Sequence, residues 1–130
     1  MIIRLELPLA PSTNRLWKVG RGGRMYKSPE YTAWLEEAGW MIKAQTKLEI
    51  IGSYIMHITA SKPDKRKRDL DNLLKSTCDL LVKNKIVEDD SLCQAIAAEW
   101  SVQSAPMIVT VYGTEDGIEE WVKSRRLLMN

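Results

Sequence analysis

Apolar and charged positions alternate along Ile2-Ile3-Arg4-Leu5-Glu6-Leu7, the period-two pattern of a half-buried strand, and Pro8 ends it. Leu9 to Lys27 shows neither helical nor strand periodicity and is rich in Pro, Gly and basic residues. This predicts a long loop with a short hairpin around Gly20-Arg21-Gly22-Gly23, and loops of that length in a small domain are functional or mobile. Ser28-Pro29-Glu30 then reads as a helix start, with Ser28 as the cap, Pro29 in the first helical position and an acid in the first turn. Tyr31, Trp34, Leu35, Ala38, Met41 and Ile42 follow at i, i+3, i+4, i+7 spacing, which carries the helix to about Lys47. Ile50 to Ser61 is β-branched and aromatic enough for a strand, stopped by Pro63 and Asp64. Leu70, Leu73, Leu74, Thr77, Leu80 and Leu81 mark a second amphipathic helix from about Asp69 to Asn84. Between Cys93 and Gln103 two faces alternate, and Ser104-Ala105-Pro106 leads into Met107–Gly113, predicting an antiparallel hairpin. Glu115 to Leu127 suggests a short closing helix, weakened by Gly117.

The order predicts an α/β (α+β) fold, a mixed four-stranded sheet packed by two main helices, in a single domain over residues 1–130 with 115–130 as a C-terminal helix or tail. The composition, 45% hydrophobic and 28% charged, is that of an ordinary globular protein. No apolar run approaches the roughly 20 residues that cross a bilayer, and no signal sequence opens the chain, so a cytoplasmic protein without a membrane partner is expected. Cys78 and Cys93 stand alone, without metal-ligand spacing, and read as reduced packing residues. Net charge is only +2, but its distribution is uneven. Arg15, Lys18, Arg21, Arg24 and Lys27 lie in a stretch without acids, and Lys62, Lys65, Arg66, Lys67 and Arg68 face only Asp64.

The second basic run meets two carboxylates in RKRDLDNLLK. Two apart on a helix, Asp69 and Asp71 would point to nearly opposite sides, whereas in an extended chain they share a face. They converge only if the chain is extended or capping at Asp69 and turns helical near Asp71, which predicts a boundary inside the motif. The plain alternative is that Asp69 caps the helix and Asp71 decorates its first turn. Three features favour a metal instead. Lys75 is one turn beyond Asp71, able to pair with a carboxylate or meet a phosphate; Glu88-Asp89-Asp90 supplies further carboxylates; and the run Lys65 to Arg68 would draw phosphates to the acids. Hard oxygen ligands suit Mg²⁺ or Mn²⁺ rather than zinc.

KPDKRKRDLDNLLKSTCDLL followed by EDDS resembles the core of the RusA-type Holliday junction resolvases, and PLAPSTNRLWK is similar to that family's P-x-x-N-R segment. The resemblance covers most of residues 4 to 112 and rests on DxDN, the Lys one turn later and the later Asp pair. It implies a bacterial or phage-encoded, Mg²⁺-dependent homodimer that cuts four-way DNA junctions. By position, it implies catalytic, metal-binding carboxylates at Asp69, Asp71 and Asp90, a cation near the scissile phosphate at Lys75, and supporting roles for Asn72 and Asn14. With these go the basic residues expected on DNA: Arg15, Lys18, Arg21, Arg24, Lys65, Arg66, Lys67 and Arg68. The chain has no Phe, so an aromatic wedge at the junction would be Trp or Tyr.

Two placements of Asp90 stay open. The second helix spans roughly 21 Å, and the segment Lys85 to Asp90 reaches at most about 20 Å. Asp90 therefore either returns nearly straight to its own helix or completes a partner's site in a two-fold dimer. His57 is expected to pack or face solvent rather than act as a base. Gly20 to Arg24 lacks the G-K-[ST] of a phosphate loop and reads as a flexible basic loop. Trp34 and Trp40 are expected in the core or a dimer interface, and Trp17 and Tyr26 as stacking aromatics. The leading expectation is a structure-selective endonuclease. A non-catalytic DNA-binding module, whose acids only cap a helix, is the main alternative, and a nucleotide hydrolase a third.

Overall fold

The computed structural model describes residues 1–12, 16–114 and 121–123. Its elements are β1 (Ile2–Leu7), β2 (Trp17–Val19), β3 (Met25–Lys27), α1 (Pro29–Gln45), β4 (Tyr54–Ala60), α2 (Leu74–Lys83), β5 (Cys93–Trp100) and β6 (Met107–Gly113). Short 3-10 turns occupy Arg21–Gly23, Leu70–Leu73 and Asp90–Leu92. The closing helix expected over 115–127 falls mostly outside the described residues, of which 121–123 are helical.

The four long strands form one mixed sheet in the order β1-β6-β4-β5, antiparallel except for the parallel β4–β5 pair. The β5–β6 hairpin expected from the sequence is therefore not formed. Instead α2 serves as the crossover between β4 and β5, and β6 enters between β1 and β4. The reason lies in β4: Tyr54, Ile55, Met56, Ile58 and Ala60 are all buried, and so deeply buried a strand belongs in the middle of a sheet. β5, with Gln94 and Ile96 exposed, tolerates the edge. The β5–β6 connection crosses the end of β4 under hydrogen bonds from Ser101 N–H to the Ala60 carbonyl (2.8 Å) and from Ser61 N–H to that of Pro106 (3.0 Å).

Helix α1 starts as its sequence dictates: Ser28 Oγ accepts the Tyr31 N–H at 3.1 Å, with Pro29 behind it. Its stripe of Tyr31, Trp34, Leu35, Ala38 and Ile42 joins Leu5, Leu7, Met56, Ile58, Val109, Leu80 and Leu81 in one core. Trp34 is buried and donates its indole N–H to the Pro8 carbonyl at 3.1 Å. Trp40 lies off the stripe and is 66% exposed, so it is not a core residue. The helix ends at Gln45, where the side-chain amide imitates a strand peptide. It accepts the Glu6 N–H and donates to the Glu6 carbonyl, both at 2.7 Å, which blunts the open edge of β1.

The predicted hairpin is present as the antiparallel ribbon β2–β3, closed through Gly22 and Gly23, whose φ values of 75° and 77° favour glycine. All six strand residues of the ribbon are exposed. His57 faces Glu99 across the β4–β5 pair, Nε2 to Oε1 2.7 Å, as a sheet-surface residue. Both cysteines are free and partly buried, and burial, more than any neighbour, pushes the Cys78 thiol up to about 11.

Candidate active site

Beyond β4 the chain turns on Asp64. Its carboxylate accepts the Arg66 N–H at 3.0 Å and pairs with the Arg68 guanidinium at 3.0 Å, contacts that hold the Asp64 carboxyl below its usual range, the Arg68 bond most of all. The turn is thus shaped by one acid. Lys65 and Lys67 make no ion pair among the described residues, and Arg68 Nε–H is buried without an acceptor. An orphaned donor on a cation is costly unless an anion arrives to meet it.

Asp69 stands at the boundary that the spacing required. Its backbone is extended, φ −95° and ψ 130°, and its side chain makes no capping bond. The next residues form the 3-10 turn that contains Asp71 and Asn72, and the α-helix begins only at Leu74, later than the periodicity suggested. The Leu73 carbonyl accepts both the Ser76 and the Thr77 hydroxyls, at 3.4 and 2.7 Å, and both residues are buried. These bonds anchor the passage from one helical form to the other.

That passage also decides what Lys75 meets. It does not pair with Asp71, because Asp71 lies in the 3-10 turn, where the i,i+4 geometry of an α-helix does not hold. It pairs forward with Asp79, Nζ to Oδ1 3.2 Å, and this contact raises the Lys75 pKa. Asp79 Oδ2 accepts the Tyr31 hydroxyl at 3.0 Å. Neither Tyr31 nor Asp79 was expected at the site, since their meeting joins two helices far apart in sequence.

After α2 the chain reverses sharply at Lys85, whose φ is 57°, and Val87 bridges Ile50. The acidic run then divides. Glu88 accepts the Gly52 N–H at 2.8 Å. Asp89 caps the 3-10 turn through the N–H and hydroxyl of Ser91, which holds its carboxyl below the usual range. Asp90 is left exposed with neither kind of partner. Its charge nevertheless bears on Lys75, Cys78, Cys93 and Tyr54, so the chain makes the nearly straight return to its own α2.

The carboxylates of Asp69, Asp71 and Asp90 therefore have no hydrogen bond or ion pair among the described residues, as is also true of Glu30 nearby. No three acidic, histidine or cysteine side chains among the described residues close into a cage.

Asp69 and Asn72 also line a cleft of about 590 Å³. One wall is the basic turn Arg66, Lys67 and Arg68, and the other is Leu9 to Ser12, with Glu30 and Trp100 completing it. Trp100 carries the Lys62 ammonium 5.6 Å from its ring centre. Its role escaped sequence reading because only the parallel β4–β5 pairing brings the end of β5 beside the basic turn. Asp71, Lys75 and Asp90 lie outside the cleft's lining, as do Lys18, Arg21 and Arg24 on the ribbon. Lys65 is exposed on the turn beside it, and Asn14 and Arg15 lie outside the described residues.

Comparison with known proteins supplies independent information. The family model described as endodeoxyribonuclease RusA matches residues 7–112. A crossover junction endodeoxyribonuclease RusA of Aquifex aeolicus is 38% identical over 88 residues, covering 67% of this chain and 68% of that one. The protein of the same name from Enterobacteria phage HK97 is 37% identical over 86 residues, 65% of this chain and 70% of its own. That of Escherichia coli K12 is 35% identical over 88 residues, 67% of this chain and 72% of its own.

Proposed function

The chain belongs to the RusA endodeoxyribonuclease family, and from that premise we propose that it is a Mg²⁺-dependent, structure-selective endonuclease. It resolves four-way DNA junctions by paired phosphodiester cuts, as a homodimer. The observation that carries this is the idleness of the three motif carboxylates beside engaged acids in the same segments. Asp64, Asp79, Glu88 and Asp89 are all engaged in hydrogen bonds, while Asp69 and Asp71, directly after the basic turn, and Asp90, whose charge bears on Lys75 of α2, are exposed and without such partners.

The donor set fits the metal. Magnesium is held by one or two carboxylates together with water and substrate phosphate, rather than by a protein cage, and an open, all-oxygen set without histidine or thiol suits it better than zinc. Bound there, Mg²⁺ would act as a Lewis acid on the phosphate and make water a competent nucleophile near neutral pH. The chain's own residues do the rest. Arg66, Lys67 and the unpartnered Arg68 Nε–H receive the backbone phosphates that flank the cut. Lys75 offers an ammonium to the charge that develops on the scissile phosphate. The ribbon cations Lys18, Arg21 and Arg24 extend the contact along a duplex arm, and Asn72 supports the motif from within the cleft. A homodimer presents two such sites to a two-fold junction.

The test is cleavage of a synthetic four-way junction beside a linear duplex of the same sequence. Mg²⁺ should support paired cuts in the junction alone, and EDTA should abolish them while binding persists. Junction binding with no cleavage in Mg²⁺ or Mn²⁺ would leave the non-catalytic DNA-binding module as the better reading. Against that module stands the missing cap bond at Asp69.

A further inference from the structure

Lys75 is a flexible side chain more than half exposed, and a lysine in that state spreads its ammonium over a wide arc. A cation that must meet one phosphate oxygen needs something to hold it. Its neighbour Asp79 lies one turn on in α2, with Oδ1 3.2 Å from Nζ.

Taken alone this would be an ordinary surface pair, and two features argue that it is more. The order is the poorer one for a helix, since Lys precedes Asp, and the acid sits in the second half of α2, where the helix dipole opposes it. Helix stability therefore gives no reason for Asp79. Its second oxygen supplies one: Oδ2 accepts the hydroxyl of Tyr31 at 3.0 Å.

Tyr31 is 1% exposed. Its ring stacks on Trp34, centroids 6.2 Å apart, and meets the edge of Trp17 at 6.5 Å. A ring packed this way cannot turn aside, so its hydroxyl fixes one oxygen of Asp79 and leaves the other aimed at the ammonium. The charge of Asp90 also reaches Lys75.

We propose that Asp79, fixed by the buried phenol of Tyr31, is the positioning residue that presents Lys75 to the scissile phosphate. The proposal rests on the nuclease reading above, and it links two parts of the molecule that the motif alone does not. The Lys27 ammonium lies 6.0 Å from the same Tyr31 ring that Trp17 touches. The DNA-facing ribbon and the lysine of the site are thus anchored on one side chain.

Two measurements on the full-length protein test this. The first is single-turnover junction cleavage and junction affinity for Asp79→Asn, Tyr31→Phe, Lys75→Ala and the Asp79→Asn/Lys75→Ala double variant. Misplacing the ammonium should slow Asp79→Asn by about tenfold, and Tyr31→Phe by a smaller factor of about three, with affinity within about twofold of wild type. Asp79→Glu, which keeps the carboxylate, should recover part of the rate. The double variant should be no slower than Lys75→Ala, because a residue acting through another has nothing further to lose. Multiplying losses, or an undiminished Asp79→Asn rate, would overturn the proposal.

The second measurement needs no cleavage: amine acetylation of Lys75 without DNA, read by mass spectrometry against Lys83 in the same helix. Asp79→Asn and Tyr31→Phe should each label Lys75 several times faster than wild type does. Unchanged labelling in both refutes the positioning even in an active enzyme. A wild-type protein that cuts no junction refutes the nuclease reading, while the labelling still decides whether Asp79 holds the lysine.

Discussion

Replacing Asp69 by alanine separates the two roles that a carboxylate at a helix start can have. A capping aspartate accepts an N–H from the following turn, and its loss costs about 0.5–2 kcal/mol, a fall in Tm of roughly 2–8 °C for a domain near this size. Asp69 makes no such bond. What it retains is the attraction of the helix start for an anion, about 0.3–1 kcal/mol. Against this stands repulsion from Asp71, about 0.6–0.8 kcal/mol in water for charges roughly 5–7 Å apart. The two nearly cancel, so Asp69→Ala should leave Tm within about 2 °C of wild type. Cleavage should respond very differently. Under the proposed reading Asp69→Ala removes a metal-holding carboxylate and with it several kcal/mol of charge stabilisation, at least about a hundredfold in rate at 1.36 kcal/mol per decade. The assay pairs a thermal melt with single-turnover junction cleavage. Ser28→Ala is the internal control: its hydroxyl does cap α1, from a buried position, so that variant should melt about 3–8 °C lower and still cut. An Asp69→Ala protein that melts as low as this control, or that cuts as fast as wild type, would refute the reasoning.

Lys67→Ala should lower the slope of log affinity against log salt by about 0.9 if its exposed ammonium neutralises one phosphate; anisotropy titrations showing an unchanged slope would remove Lys67 from the interface. Because the charge of Asp90 reaches its own α2, mixing Asp71→Asn with Asp90→Asn chains should recover no cleavage beyond the parents. Recovery would place Asp90 in the partner's site. Asp64 is held below its usual range by Arg68, so its contribution to stability is complete above the unfolded value near 3.9 and fades as pH falls through the lower folded value. The stability gap between wild type and Asp64→Asn in urea should therefore be constant from about pH 5 to 8 and narrow below about pH 4. A gap that changes between pH 6 and 7 would contradict this.

What could be read from the chain itself was local. Ser28 and Pro29 announce α1 because capping is settled within one turn, and the boundary inside DLDN followed from the two periodicities alone. Other features needed long-range information. β5 and β6 carry alternating patterns around a Ser-Ala-Pro turn, yet the deep burial of β4 makes β6 its partner instead. Trp34 and Trp40 share one expectation, core or dimer interface, and only burial separates them: Trp34 sits in the core stripe and Trp40 is exposed on this chain. Asp79 carries no motif at all, and its importance emerges only when α1 delivers a phenol to it.

The sheet order has a consequence for when the protein becomes active. Among the described residues β1 pairs only with β6, Ile2 against Tyr112, so an early strand of this domain waits for a much later one. Until β6 is made, β4 has an open edge and the crossover that carries Asp69, Asp71, Lys75 and Asp90 rests on half a sheet. Closure between distant strands is slow, and a chain interrupted at Trp100 could not complete it. An activity that depends on this crossover is therefore withheld from chains that have not yet made β6 or have lost it.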